Sequence, residues 1–410
     1  MRRNKDREVS WRAPRKRMRM WTVLLAVVAV LAAACGDDGG EANEPSSAIV
    51  LGATFPLTGP AATLGREWDR GIELALDVVN ADGGVMIDGV YHPMEVNVID
   101  DETTAAGAQR GVQQHLDDGR TFYLGPVSSS SFDTAYGVLR DRDDRIVITP
   151  ATAAEKYIGT PEGHMLFRTQ SSSAGEDGGY AQFARAVVAE YAPTRVAMLV
   201  PQDPTGDTQV PIWTQGFEDA GVEIVYSERF APDTRDFAPY ISAMRGTNPD
   251  FVVGPYLDSM MGPFLSQAAQ LDFTEAAFGS AGVSAASLAE TDGAITDFTW
   301  MIITRAVDNP DDRALAAYRE AYFAKYGEDP PSIGYFALSF YDPVIMLAEA
   351  IETVGAVDDL EAIATELTRI DTWPSQAMDI EFDEDGMAHY TYQQAFYKDG
   401  EIVFREFTRN

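Results

Sequence analysis

A single cysteine, Cys35, serves the whole 410-residue chain. No internal disulfide can form, so the fold must be held by packed cores whatever compartment it occupies. Histidine is nearly as scarce. His92, His115, His164 and His389 are scattered without the spacing of a metal site, and no metal is expected. No serine sits in a G-x-S-x-G elbow, and neither a P-loop nor a G-x-G-x-x-G turn occurs, so no catalytic residue and no cofactor is expected. Lysine almost disappears after the first twenty residues, leaving Lys156, Lys325 and Lys398. From Cys35 onward 22 basic residues face 62 acidic ones, and the whole chain carries a net charge of −33. Such a surface repels polyphosphates, which argues against a nucleic-acid role. The acid is dispersed rather than blocked, which describes a solvated surface suited to a salty or acidic exterior.

The one long apolar run is residues 21–34, WTVLLAVVAVLAAA, 14 residues preceded by nine Arg or Lys against two acids. A spanning helix needs about 20 apolar residues, so this run reads as an export signal over residues 1–34. Cys35 follows its small residues and resembles the acylated cysteine of a lipobox, with Ala32 and Leu31 a slight departure from the commonest form. The alternative is a plain secretory signal with an incidental cysteine. Arg2-Arg3 lies too far from the apolar run for twin-arginine export. Residues 35–47 are polar, Gly-rich and aperiodic, and read as a flexible tether.

From residue 48 strands and helices alternate. Strands are expected at 49–55, 94–99, 122–124, 145–149, 196–200, 222–226, 251–253 and near 300–303. Helices are expected at 71–80, 105–116, 130–140, 180–190, 210–220, 237–245, 262–271, 314–326 and 336–354. The segments 378–382, 391–397 and 402–404 read as a terminal β-meander. Repeated βα units imply an α/β fold with parallel sheets flanked by helices. They are too many for one sheet, so two Rossmann-like lobes are expected: 48–168 with 302–376, and 169–301 with 377–410. A multi-strand hinge joins them, with its first crossing near 167–171.

Chemistry concentrates where Gly125-Pro126-Val127 ends a strand and Ser128, Ser129, Ser130 and Ser131 precede a helix. Ser130 as N-cap would place Asp133 at N3, a capping box in the broad sense. Free N–H groups and hydroxyls at such a helix start suit a carboxylate or another acceptor. The dipole alone is worth only roughly 0.3–1 kcal/mol, so binding must come from several hydrogen bonds in a dry cleft. The bland alternative is that the serines only cap the helix. Ala151-Thr152 follows the neighbouring strand and should face the same cleft.

These pieces carry a resemblance. Residues 52–85, GATFPLTGPAATLGREWDRGIELALDVVNADGGV, resemble the opening of the type I periplasmic binding proteins of the branched-chain amino acid class. So do Asp100-Asp101, the serine run, Ile148-Thr149-Pro150-Ala151-Thr152, Phe167-Arg168-Thr169, residues 249–253 and 326–330, and Tyr341-Asp342-Pro343, in that order over 48–405. The resemblance implies a lipid-anchored, extracytoplasmic solute receptor that closes about a hinge and feeds the permease and ATPase subunits of an ABC importer. It is expected as a monomer holding a small amino acid, amide or carboxylate. In that family the turn after the strand often reads Pro-Ala-Ala-Thr; here Thr152 comes one place early, so either Thr152 or Ala153 fills the ligand-facing slot. The family's carboxylate for a ligand ammonium falls at Ala281, which makes an unmodified amino acid doubtful unless Asp203, Asp207 or Asp258 substitutes. Thr205 stands where the family often has an aromatic residue, Tyr256 keeps one, Leu64 stands for another with Trp68 one turn on, and Tyr335 is a weaker candidate. A sensory protein on the same fold, or a lipoprotein hydrolase using Ser129, are the alternatives.

Overall fold

The structure is a computed structural model describing residues 47–140, 142–172, 178–370, 377, 378, 380–390, 392–398 and 400–406. The export signal, Cys35 and all but the last residue of the tether lie outside the described residues. The first part of the chain runs β1 (Ile49–Phe55), α1 (Ala62–Asn80), β2 (Val85–Ile87), β3 (Val90–His92), β4 (Met94–Asp100), α2 (Ala105–Asp117), β5 (Phe122–Leu124), α3 (Ser129–Tyr136), β6 (Ile146–Thr149) and β7 (Leu166–Arg168). Next come α4 (Gly179–Tyr191), β8 (Arg195–Pro201), α5 (Pro204–Asp219), β9 (Glu223–Phe230), α6 (Ala238–Arg245), β10 (Phe251–Val253), α7 (Asp258–Gln270), β11 (Ala277–Ala281) and β12 (Asp297–Ile302). The chain then forms α8 (Ala316–Tyr326), α9 (Leu338–Val354), α10 (Leu360–Leu367), β13 (Glu381–Phe382), β14 (Ala388–His389), β15 (Gln393–Lys398) and β16 (Glu401–Glu406).

Two main sheets result. The first is ordered β4-β1-β5-β6-β7 and is parallel throughout. The second is ordered β16-β15-β12-β11-β10-β8-β9, parallel from β9 to β12. Its last two strands pair antiparallel, Asp297 opposite Lys398 and Gln393 opposite Glu406. The parallel parts share one pattern, in which the second strand to form lies outside the first and the rest follow on the other side. Strands such as β6 and β8 are buried nearly end to end, because helices cover both faces, and so they read as continuous apolar runs.

Several expectations need correction. Helix α1 begins at Ala62, not near 71, and Gly65 lies in the extra turns. A Cβ there would meet the Pro56 carbonyl oxygen at 1.5 Å, so glycine is what lets the helix start against β1's loop. A β2–β3 hairpin turns at Asp88-Gly89, both with positive φ. The C-terminal strands are not one meander: β13 and β14 pair only with each other, while β15 and β16 extend the second sheet.

Arg168 ends β7 where the chain leaves the first sheet, and it is fully buried. Its Nε donates to the Ala151 carbonyl at 3.1 Å, and Nη1 donates to the carbonyls of Gln170 at 2.5 Å and Ser171 at 2.6 Å. The Glu155 carboxylate lies 3.8 Å away. Removing the guanidinium strands these acceptors without water. Arg168→Met is expected to cost roughly 3–5 kcal/mol, read as a lower urea midpoint at unchanged slope. A loss under about 1 kcal/mol would show that this network does not hold the crossing together.

Candidate functional site

In a parallel sheet the strand whose neighbours leave in opposite directions opens a crevice at its carboxyl end. Both sheets have such a point, between β1 and β5 in the first and between β8 and β10 in the second. The loops there bound a shared cavity of about 390 Å³. Helices α3 and α5 approach each other across it.

One wall comes from the first sheet. Ser128 is extended at φ −83°, ψ 148°, and its Oγ accepts from the Ser131 N–H at 3.2 Å. Ser128 is therefore the N-cap, not Ser130, and Asp133 is no capping-box partner; it pairs instead with Lys156 at 2.6 Å. Ser130, second in the helix, reaches the Ser128 hydroxyl at 3.5 Å. Ser129 is buried, and its Oγ accepts from the Ala153 N–H at 3.3 Å. A hydroxyl that accepts there keeps its own hydrogen to donate. Ser128, Ser129, Ser130 and Thr152 all line the cavity, whereas Ala153 gives its N–H to Ser129. Ala151 does not line it, and its carbonyl is occupied by Arg168. Trp68, one helical turn after Leu64 on α1, lines the cavity with its ring edge-on to Phe336, centroids 5.5 Å apart. Its indole Nε1 has no partner among the described residues.

The other wall belongs to the second sheet. Asp203 caps α5, its Oδ1 accepting from the Gly206 N–H at 2.9 Å. Its Oδ2 accepts from the Tyr256 hydroxyl at 2.5 Å. Burial and the adjacent Asp203 carboxylate push the Tyr256 phenol well up, so it remains a donor. Thr205, Tyr256 and Ala281 also line the cavity, and Ala281 offers only a methyl group. Tyr335 does not line it. Its fully buried ring sends the hydroxyl to the Val283 carbonyl at 3.1 Å, and Phe336 takes the cavity-facing place.

Sequence reasoning missed Gln170, Tyr180 and Gln209. Tyr180, near the start of α4, lines the cavity together with Thr152 and Gln209, and burial raises its phenol against the pull of those two side chains. Gln209 follows Thr205 by four residues, hence on the same helix face, which is the one signal that could have found it. Its Oε1 is without a partner among the described residues.

A sequence profile for the periplasmic binding protein family matches residues 48–400. The chain belongs to that family. It is a type I periplasmic binding protein of the branched-chain amino acid class. It is 28% identical to the leucine-, isoleucine-, valine-, threonine- and alanine-binding protein of Pseudomonas aeruginosa over 344 residues, 82% of this chain and 86% of that one. The fold is similar to that of a leucine-binding protein of Thermotoga maritima, with a TM-score of 0.73 and 19% identity over 87% of this chain and 97% of the other. A solute-binding protein of an R. palustris ABC transporter, crystallised with benzoate, also gives 0.73, at 18% identity over 88% and 96%.

In this periplasmic binding protein a buried acid lies under the serine wall. Asp101, fully buried, accepts from the Thr103 N–H at 2.8 Å. Burial lifts its carboxyl from 3.8 to about 6, against the opposing pull of the Thr103 N–H and the nearby Ser131 hydroxyl. The folded chain thus holds this proton more tightly than the unfolded one. The stability it contributes is complete below about pH 4 and is lost as the pH rises through about 6. Asp101→Asn keeps the carbonyl acceptor and fixes the neutral form. Relative to the parent, it should gain roughly 2–3 kcal/mol between about pH 4 and pH 7, seen in urea midpoints across that range. Parallel pH profiles for the two proteins would place Asp101 as an ionised group instead.

Proposed function

We propose that this protein is a solute receptor outside the cytoplasmic membrane, lipid-anchored through Cys35, which delivers a small ligand to the permease of an ABC importer. Residues 48–168 with 302–376 and residues 169–301 with 377–410 act as lobes that close about the crossings between the two sheets. The supporting observation is that the crevices of the two sheets face one another across a single cavity, with hydroxyl donors on one wall and Asp203 and Tyr256 on the other. A ligand touching both walls favours the closed form, because only there can it make both sets of contacts. The Pseudomonas relative is named for five amino acids and the R. palustris neighbour holds benzoate; all of these carry a carboxylate. That group suits the N-terminus of α3, with the Ser129 and Thr152 hydroxyls beside it. Acyl chains on Cys35, each buried CH₂ contributing about 0.8 kcal/mol, keep the receptor near its permease.

A thermal-shift and calorimetric screen of amino acids, amides and small organic acids should yield at least one binder. With that binder, Ser129→Ala and Thr152→Ala should each weaken affinity about 5- to 20-fold without lowering the melting temperature appreciably. Unchanged affinity in both variants would remove the serine wall from the binding site.

A further inference from the structure

The receptor reading leaves the ligand class open, and the charges around the cavity narrow it. No Lys, Arg or His lines the cavity among the described residues, and Asp203 is the sole carboxylate that does. The other acids that could have replaced the side chain missing at Ala281 are committed elsewhere. Asp258 is enclosed by the Ser284 N–H at 2.9 Å, the Ser284 hydroxyl at 2.8 Å and the Ser287 hydroxyl. Asp207 is exposed and pairs with Arg229 at 3.0 Å.

Resting on the receptor reading, we propose that Asp203 receives the ligand's positive charge, so that the ligand is zwitterionic, an α-amino acid or a close analogue. Its carboxylate lies toward Ser128–Ser130 and its ammonium toward Asp203. The Gly206 N–H and the Tyr256 hydroxyl fix the orientation of Asp203 while taking one lone pair from each oxygen, and a carboxylate has about four. The remainder can accept from an ammonium. Gln209, 1% exposed and with Oε1 unpartnered among the described residues, adds a second cavity-lining acceptor on the same helix, one turn after Thr205. An acid enclosed by a ligand that brings no cation would lose its water and gain no counter-charge, so this wall selects against simple monoanions.

The test is calorimetry on the purified protein with matched pairs: L-leucine and 4-methylpentanoate, L-phenylalanine and 3-phenylpropanoate, with benzoate added. Asp203→Asn keeps an oxygen for the Gly206 N–H and the size of the side chain, so it should fold. The parent should prefer one amino acid over its deaminated partner by about 30-fold or more, and Asp203→Asn should abolish that preference by weakening only the amino acid. Deaminated acids or benzoate binding the parent as tightly as amino acids would overturn the ammonium site and leave the receptor reading standing. So would amino-acid affinity unchanged in Asp203→Asn. Failure of the parent to bind any compound in this panel or in the broader screen above would overturn the receptor reading, and the assignment of Asp203 with it.

Discussion

A guanidinium without access to water must find its acceptors within the protein, and Arg168 finds them on three sides at once. Its partners are the carbonyl before Thr152 and the two carbonyls that begin the crossing to the second sheet. One side chain therefore sets the position of a cavity-lining turn relative to the path by which the chain leaves the sheet. Tyr392, from the last crossing, adds its hydroxyl to the Ser171 carbonyl at 2.7 Å, so two of the connections are tied at the same place. A strand end alone would not hold that turn. Burial makes the arrangement stringent, since each acceptor left unmet costs its full desolvation.

From that fixed point the site follows from topology. The same strand order in both sheets puts a crevice at the carboxyl edge of each, and the crossings turn the two edges toward one another. Only the second sheet's wall carries a carboxylate, and only the first offers the start of a helix flanked by serines. The first presents hydroxyls and the start of a helix; the second presents Asp203 and Tyr256. Between them lie Leu64, Trp68 and Phe336, which exclude water and strengthen whatever polar contacts form at the two walls. The cavity is thus polar at its opposite walls and apolar between, a shape that sorts ligands by where their charges lie.

How much of this could be read from the sequence depended on how local the cause was. Strands β1, β5 and β10 match the expected bounds residue for residue, because burial on both faces writes an unbroken apolar run. Helices α5 and α7 start earlier than expected. Each contains a proline, Pro211 or Pro263, that argues locally against a helix, and packing outweighs it. The first turns of α1 were hidden by charge: Glu67 looks like a surface residue, yet it is buried against Arg70 and the Tyr322 hydroxyl of α8. The Asp88-Gly89 hairpin carries an ordinary two-residue turn signal, but its flanking strands are too short to write an alternating pattern. At the site, the serine run announced itself as a helix start, though the cap is two residues earlier than expected. Asp203 could be named only as one of three candidate acids, with Asp207 and Asp258. That it lines the wall, like the cavity-facing place of Phe336 rather than Tyr335, depends on how the second sheet is turned toward the first.

That dependence bears on how a ligand could act. A hydrogen bond already spans the cavity region without help, from the Tyr335 hydroxyl to the Val283 carbonyl. At about 1 kcal/mol net, it favours the juxtaposed arrangement by roughly fivefold. A switch moved from one part in a hundred to the opposite ratio needs about 5.5 kcal/mol of differential affinity. The built-in contact falls well short of that, and the remainder must come from groups that meet only through the ligand. The hydroxyl of Ser129 and the carboxylate of Asp203 are of this kind: both keep hydrogen-bonding capacity on the cavity side, and each belongs to a different sheet's loops. A ligand that satisfied one and not the other would bind one wall without drawing in its opposite. Occupancy and closure are then separate properties, and the charge separation along the ligand decides whether they coincide.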